Sequence, residues 1–177
     1  RRIAAGAVRD HMLGIAAVSG RGEAFKSGGR VVKNVTGYDL SRGLAGSWGT
    51  LAVATELTLK VLPRPETVAT VVVAGLGDRD GVALLCRAMG SAAEVTGAAH
   101  LPADVSRAIA PLGVAEAASA IRIEGFGPSV AARVRDVEAL ANTAAPGAPA
   151  TVLEAEPSAA LWGAVRDALP FVGGAEA

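Results

Sequence analysis

The segment Pro63-Arg64-Pro65 constrains this chain most, because it separates two stretches with different hydrophobic patterns. Proline fixes φ and has no backbone N–H, so two prolines within three residues end a strand and form a stiff connection. Glycines punctuate short strand-like runs before this segment, whereas strand-like and helix-like patterns alternate after it. We therefore predict two domains, residues 1–65 and residues 66–177.

The pattern of the first stretch predicts strands around one short helix. Met12–Ser19 is an apolar, β-compatible run, and Gly20-Arg21-Gly22 marks a turn after it. Asp39 can cap a short helix, which Gly46 is placed to end. Residues 50–62 then alternate in the manner of a strand, with apolar side chains at Leu57, Leu59 and Val61 and polar ones at Glu56, Thr58 and Lys60.

The second stretch predicts an α+β sandwich. Strand-like runs occupy residues 67–74, 94–101 and 151–154, and the alternation around Ile121 and Arg122 predicts a half-exposed strand. Helices begin near Asp78, Pro128 and Pro157, and the alanine-rich residues 139–150 suggest a loop. The order β-α-β-β-α-β with a trailing helix is that of a ferredoxin-like fold. The predicted buried faces of the three helices are Val82, Leu85, Cys86 and Met89; Val130, Val134, Val137 and Ala141; and Leu161, Trp162, Val165 and Leu169.

Composition excludes several classes of protein. Apolar residues make up 51% of the chain and charged residues 19%, which favours a packed core over disorder. Seventeen basic residues balance seventeen acidic ones, so the chain lacks the positive charge expected of a nucleic-acid-binding protein. No apolar run reaches the roughly 18 residues of a membrane span. Cys86 is the only cysteine, which excludes a multi-cysteine metal site, and we predict that its thiol is buried.

Motifs of the common catalytic classes are absent from the sequence. It has no Walker-type loop, no G-x-S-x-G elbow and no His-Glu-x-x-His, and its two histidines lie far apart. Any difficult chemistry would then belong to a cofactor. No side chain stands out as a catalytic acid or base, and we expect His100 and Trp162 to have structural roles.

A long glycine-rich run is the most specific feature of the sequence. It comprises Gly28-Gly29-Arg30-Val31-Val32-Lys33-Asn34-Val35-Thr36-Gly37-Tyr38-Asp39-Leu40, then Gly46-Ser47-Trp48-Gly49-Thr50-Leu51-Ala52-Val53-Ala54-Thr55-Glu56, and a strand that ends in Leu62-Pro63-Arg64-Pro65. Upstream lies Arg9-Asp10-His11-Met12-Leu13-Gly14. This order and spacing resembles the FAD-linked oxidases of the vanillyl-alcohol-oxidase/PCMH superfamily, most closely the FAD-binding subunit (E subunit) of bacterial glycolate oxidase.

The resemblance implies an FAD site built from two sets of residues. Glycines allow the close backbone approach that a flavin nucleotide needs, and Ser47 and Thr50 add hydroxyl groups. Trp48 and Ala52 replace the Glu and Gly that are more common in the superfamily, so we expect contacts through the backbone at these two positions. By resemblance, the main set is Gly46, Ser47, Trp48, Gly49, Thr50, Leu51, Ala52, Val53 and Ala54, and the second set is Gly6, Ala7, Val8, Arg9 and Asp10.

Several of these residues have a simpler structural explanation. Gly46 and Gly49 could serve only to end a helix and to form a turn. Arg9 and Asp10 could form a surface ion pair, and Lys33-Asn34 could be part of a solvated loop rather than a flavin contact. We expect Tyr38 to pack against its neighbours with its hydroxyl group bonded.

The resemblance also implies an activity for the whole protein. Residues 1–65 would be the C-terminal half of a PCMH-type FAD-binding domain, and residues 66–177 part of a cap domain. The protein would be a subunit of a glycolate-oxidase-like complex of glyoxylate metabolism, which oxidises a small 2-hydroxy acid to a 2-oxo acid. Its expected partners are a paralogous flavin subunit and an iron–sulfur subunit, in the cytoplasm and at the inner membrane only through those partners. The alternatives are a stand-alone FAD-linked D-lactate or 2-hydroxy-acid dehydrogenase and a non-catalytic scaffold subunit.

The family also has a small-residue loop that wraps the FAD pyrophosphate, upstream of the region that matches Gly6. The sequence starts at Arg1, so we expect a fragment of a longer protein that binds FAD weakly or not at all by itself.

Overall fold

A computed structural model describes residues 5–33 and 37–172. The chain divides into two compact units, Arg1–Arg64 (unit 1) and Pro65–Ala177 (unit 2). The division falls inside the Pro63-Arg64-Pro65 segment. That residues 1–65 are the C-terminal half of an FAD-binding domain and residues 66–177 part of a cap domain stays a prediction.

In residues 6–33 and 37–64, unit 1 is a small antiparallel sheet with two short helices. The strand order is β2-β1-β3, so β1 is central and β3 lies at an edge. The strand and turn predicted for residues 12–22 are confirmed. The elements are α1 (Val8–His11), β1 (Met12–Ser19), β2 (Ala24–Gly28), α2 (Leu40–Leu44) and β3 (Ala52–Leu59).

Close backbone packing explains two glycines of unit 1. Gly14 on β1 lies opposite Gly28 on β2. A Cβ atom on Gly14 would lie 2.7 Å from the backbone nitrogen of Gly29, and one on Gly28 would collide with the carbonyl oxygen of Leu13. Gly28 also has φ +70°, a conformation that side chains disfavour. The backbones of β1 and β2 therefore approach too closely at these two glycines for a side chain to fit.

Asp39 caps α2, as predicted. Its carboxylate accepts the backbone N–H of Arg42 at 3.2 Å and the hydroxyl of Ser41 at 2.9 Å. These two hydrogen bonds hold the pKa of Asp39 below its ordinary value, and the positive charges of Arg42 and Arg9 act in the same direction. The helix ends at Leu44, and Gly46 follows two residues later with φ +87°.

Unit 2 has the predicted ferredoxin-like topology. Its four strands are mutually antiparallel in the order β5-β6-β4-β7. Two 3-10 turns, Ala110–Leu112 and Leu169–Phe171, complete it. The elements are β4 (Thr67–Ala74), α3 (Asp78–Met89), β5 (Gly97–Leu101), α4 (Ala103–Arg107), β6 (Ala118–Gly125), α5 (Gly127–Ala144), β7 (Ala150–Glu154) and α6 (Ala155–Arg166).

Both faces of the unit 2 sheet are covered. Val71 and Val73 of β4 pack with α3 and α5 on one face, whereas Val72 packs with Leu161 of α6 on the other. The trailing helix therefore adds a third layer. The face predicted for α5 is confirmed, because Val130, Val134, Val137 and Ala141 are its buried residues. The suggested loop at residues 139–150 is wrong over its first part, because α5 runs through Ala144.

The buried face predicted for α3 is correct at Leu85 and wrong at its other three residues. Val82 and Met89 are 50% and 38% exposed, and Cys86 is also exposed. The buried residues are Gly81, Leu84, Leu85 and Ala88. Gly81 packs so closely on the ring of His100 that a Cβ atom there would collide with it. The small residues face the sheet because the helix backbone lies near it.

The half-exposed strand predicted around Ile121 is also wrong, because Arg122 is only 7% exposed. Its guanidinium group donates to the carbonyl oxygen of Thr96 at 3.1 Å, lies 3.5 Å from the carboxylate of Glu124 and lies 4.7 Å from the ring centre of Trp162. The charge and N–H groups of Arg122 thus have partners beneath α6. The alternating pattern of β6 does not reveal that α6 covers this face.

The predicted face of α6 is partly correct. Leu161 is buried, and Trp162 and Val165 are half-buried. Leu169 is 54% exposed, because the helix ends at Arg166. Among the residues that the structure describes, no helix combines the length and apolar character required to cross a membrane.

Candidate functional site

A tight turn between α2 and β3 forms the centre of the predicted main site. The backbone N–H of Thr50 donates to the carbonyl oxygen of Ser47 at 3.0 Å, and the Thr50 hydroxyl donates to the same oxygen at 2.6 Å. The two central residues, Trp48 and Gly49, have φ +54° and +76°. Positive φ at both central positions is the pattern of a type I′ turn. Gly46 thus lies after the end of α2, and Gly49 lies in the turn. These are the structural roles that the simpler explanation gives them.

Trp48 is the unusual residue of this turn. A bulky side chain is strained at positive φ, and the indole ring gains no protein packing in return because the residue is 96% exposed. Strain that the surrounding structure does not explain is a reason to suspect a function. Leu51, which follows the turn, is 62% exposed.

The turn offers polar groups to a ligand. The backbone N–H groups of Trp48 and Gly49 and the hydroxyl of Ser47 have no hydrogen-bond partner among the described residues. A Cβ atom added to Gly46 or Gly49 would meet no atom within 4 Å. The Thr50 hydroxyl, which was predicted to be a donor for the ligand, donates instead to Ser47. The neutral donors and the open space above them suit a polar ring edge or a phosphate oxygen.

One edge of the strand after the turn is not paired with any described strand. Ala52, Val53 and Ala54 pair with Ser19, Val18 and Ala17 of β1. No described strand pairs with the other side of β3. Since alternate residues of a strand direct their backbone groups to opposite sides, this stretch has backbone groups available, as the flavin hypothesis requires.

The second predicted set forms a helix start. The carboxylate of Asp10 accepts the backbone N–H of Ala7 at 2.8 Å, and Gly6 before it has φ +78°. Arg9 and Asp10 do not form the surface ion pair that was considered, since the Asp10 carboxylate binds backbone and neither residue has an ion pair within the described part. Val8 is 68% exposed.

The structure places the strand part of the main set, Ala52–Ala54, and the second set at opposite ends of one ladder. The second set precedes Met12, which lies opposite Leu59, whereas Ala52 lies opposite Ser19. Seven residues of strand separate these ends, which at the rise of a β-strand is roughly 20 Å or more. Gly46, by contrast, follows α2, which contacts α1 of the second set. Ala52 and the second set could therefore contact only different parts of one long ligand. An extended dinucleotide fits this requirement better than a small metabolite.

A cavity of about 230 Å³ lies elsewhere in unit 1, and none of the predicted site residues lines it. Its lining includes Lys33, Tyr38, Asp39 and Arg42. It is smaller than the cavities that usually enclose cofactors. Lys33 is nevertheless on a cavity wall, which leaves its role as a ligand contact open, and Asn34 lies outside the described residues.

Of the other residues singled out in the sequence, His100 and Trp162 have structural contacts, whereas Tyr38 is exposed. Tyr38 was expected to pack, which is wrong, because it is 90% exposed. The ring of His100 lies 2.9 Å from the Ser119 hydroxyl and 3.2 Å from the Asp78 carboxylate. The indole N–H of Trp162 donates to the hydroxyl of Thr70 at 2.8 Å. In residues 5–33 and 37–172 no three His, Cys, Asp or Glu side chains cluster as metal ligands would.

Comparison with known proteins relates the chain to flavin-linked enzymes, although no family model matches it. It is 54% identical over 66 residues to glycolate oxidase subunit GlcE of Escherichia coli (strain K12), which covers 37% of this chain and 19% of that protein. It is 44% identical over 62 residues to subunit GlcD of Bacillus subtilis (strain 168), which covers 35% and 13%. It is 40% identical over 73 residues to a D-lactate dehydrogenase of Anaerostipes hadrus, which covers 41% and 15%. The chain thus spans less than a fifth of the length of these relatives.

Solved structures show the same fold at low sequence identity. Alkyldihydroxyacetonephosphate synthase aligns over 93% of this chain and 32% of its own, with a TM-score of 0.66 and 20% identity. p-Cresol methylhydroxylase aligns over 81% and 34%, with a TM-score of 0.51 and 15% identity. Together, these comparisons confirm the predicted resemblance: the chain is similar in sequence to glycolate oxidase subunits and to FAD-linked oxidoreductases, and it shares its fold with these two solved structures.

Proposed function

We propose that this chain is part of an FAD-dependent oxidoreductase that oxidises a small 2-hydroxy acid to a 2-oxo acid, as the FAD-binding subunit of a glycolate-oxidase-like complex. The observation that carries the proposal is the turn at Ser47–Thr50, with unpaired backbone donors beside open space, within a chain related to glycolate oxidase subunits. The proposed partners are a paralogous flavin subunit and an iron–sulfur subunit, in a cytoplasmic complex.

The role of this chain's residues would be to bind and orient the cofactor. The N–H groups of Trp48 and Gly49 and the Ser47 hydroxyl would donate to oxygen or nitrogen atoms of FAD, and Ala52–Ala54, at the edge of β3 that no described strand pairs with, would add backbone contacts. Residues Gly6–Asp10, at the other end of the ladder, would lie beside a distant part of the same molecule. When bound, the flavin supplies the acceptor for the two electrons released as the alcohol carbon becomes a carbonyl carbon.

Flavin content tests the binding site. In the purified polypeptide that carries this sequence, we expect Gly49→Ala to lower the ratio of flavin absorbance to protein absorbance several-fold, because the methyl group strains the turn and enters the open space. Gly147→Ala is the matched control, since Gly147 has φ +81° and equally open surroundings in unit 2. Equal flavin loss in both variants would indicate general destabilisation and contradict the assigned site.

Substrate and partners need separate measurements. Reduction of a dye by the purified complex with glycolate or D-lactate, together with co-purification of an iron–sulfur protein, is the expected result. Dye reduction by this polypeptide without any partner would favour a stand-alone dehydrogenase, a candidate supported by the similarity to D-lactate dehydrogenase. Absence of flavin from the complete protein would rule out both enzymes and leave a scaffold role.

A further inference from the structure

We draw no further inference here: the strongest candidate, the side-chain cluster of Asp78, His100 and Ser119 between α3 and the sheet of unit 2, carries nothing because Ser119 has no exposed surface to meet a substrate and the contacts of the cluster belong to the packing already described.

Discussion

The two units of this chain differ in how completely they bury their apolar surface. All of the largest fully buried side chains, among them Leu84, Ile121 and Leu161, belong to unit 2, whose sheet is covered on both faces. In unit 1 the core is small, and large apolar side chains such as Val53, Leu57 and Trp48 are at least half exposed. A unit that covers its own sheet is built for stability, whereas exposed apolar side chains beside unpaired backbone groups suit binding. The proposed flavin contacts lie in unit 1, which has the more exposed apolar side chains of the two.

The largest loss of stability should come from a substitution in the core of unit 2. Ile121→Ala removes a side chain with no exposed surface and should lower the free energy of unfolding by about 2–5 kcal/mol. Leu59→Ala in unit 1 should cost less than about 1 kcal/mol, because the side chain is 44% exposed. Urea unfolding of both variants provides the measurement. Similar losses would show that unit 1 has a core as complete as that of unit 2.

The close contact between Gly28 and the backbone of β1 gives the next largest loss of stability. Gly28→Ala should cost about 2 kcal/mol or more, since the new Cβ atom collides with the Leu13 carbonyl oxygen at positive φ. Gly22→Ala is the matched control, with φ +79° and open surroundings, and should cost about 1 kcal/mol. Chemical denaturation followed by far-ultraviolet circular dichroism would compare them. Equal losses would mean that backbone strain alone, and not close packing, requires Gly28.

A buried polar network distinguishes the units further. The hydroxyl of Thr70 accepts from the Trp162 indole and lies 2.7 Å from the Ser158 hydroxyl. Thr70→Val leaves both groups without this partner and should cost about 1–3 kcal/mol. Thr55→Val in unit 1 removes an exposed hydroxyl that donates to the Ala16 carbonyl and should cost less than about 1 kcal/mol. The Trp162 fluorescence maximum should shift in the first variant and remain unchanged in the second.

The smallest effect should come from pH. The pKa of Asp39 is lowered in the folded chain by its hydrogen bonds to Arg42 and Ser41, so its carboxylate stabilises unit 1 above the unfolded-state pKa. This contribution is lost as the pH falls through the lower folded-state pKa. Below about pH 4, Asp39→Asn should therefore lose less stability on acidification than the unmodified chain. Asp167→Asn is the counterpart in unit 2, where bonds from Arg166 lower the pKa of Asp167. The measurement is the free energy of unfolding of all three proteins as the pH is lowered. The same loss of stability in all three would contradict these assignments.

Local sequence patterns predicted strands and helices well where an element buries one face and exposes the other. The helix from Gly127 has its buried residues at the predicted helical spacing, and Asp39 caps α2 as its position suggested. The prediction failed at three of its four residues in α3, where the larger residues Val82 and Met89 are exposed. Hydrophobic periodicity favours large side chains, whereas a helix that approaches its sheet closely needs small ones such as Gly81.

The candidate site shows the same division. Its residues could be named from the glycine-rich motif, because the order of residue types is written in the sequence. Its geometry could not. The positive φ of Trp48 and the hydroxyl of Thr50 turned to Ser47 are details of one turn that residue types alone do not specify, and the place of Ala52–Ala54 along β1 depends on pairing between distant strands.

The amino-acid sequence by itself determined the resemblance to FAD-linked oxidases, the order of strands and helices, and the division at the prolines, because these follow from local conformational preference and residue spacing. Only the tertiary structure decided which faces are covered. Arg122 is buried because α6 packs over β6, and Leu57 is exposed because nothing described packs beside β3. Burial depends on what the rest of the chain places against a residue, and a local pattern does not contain that information.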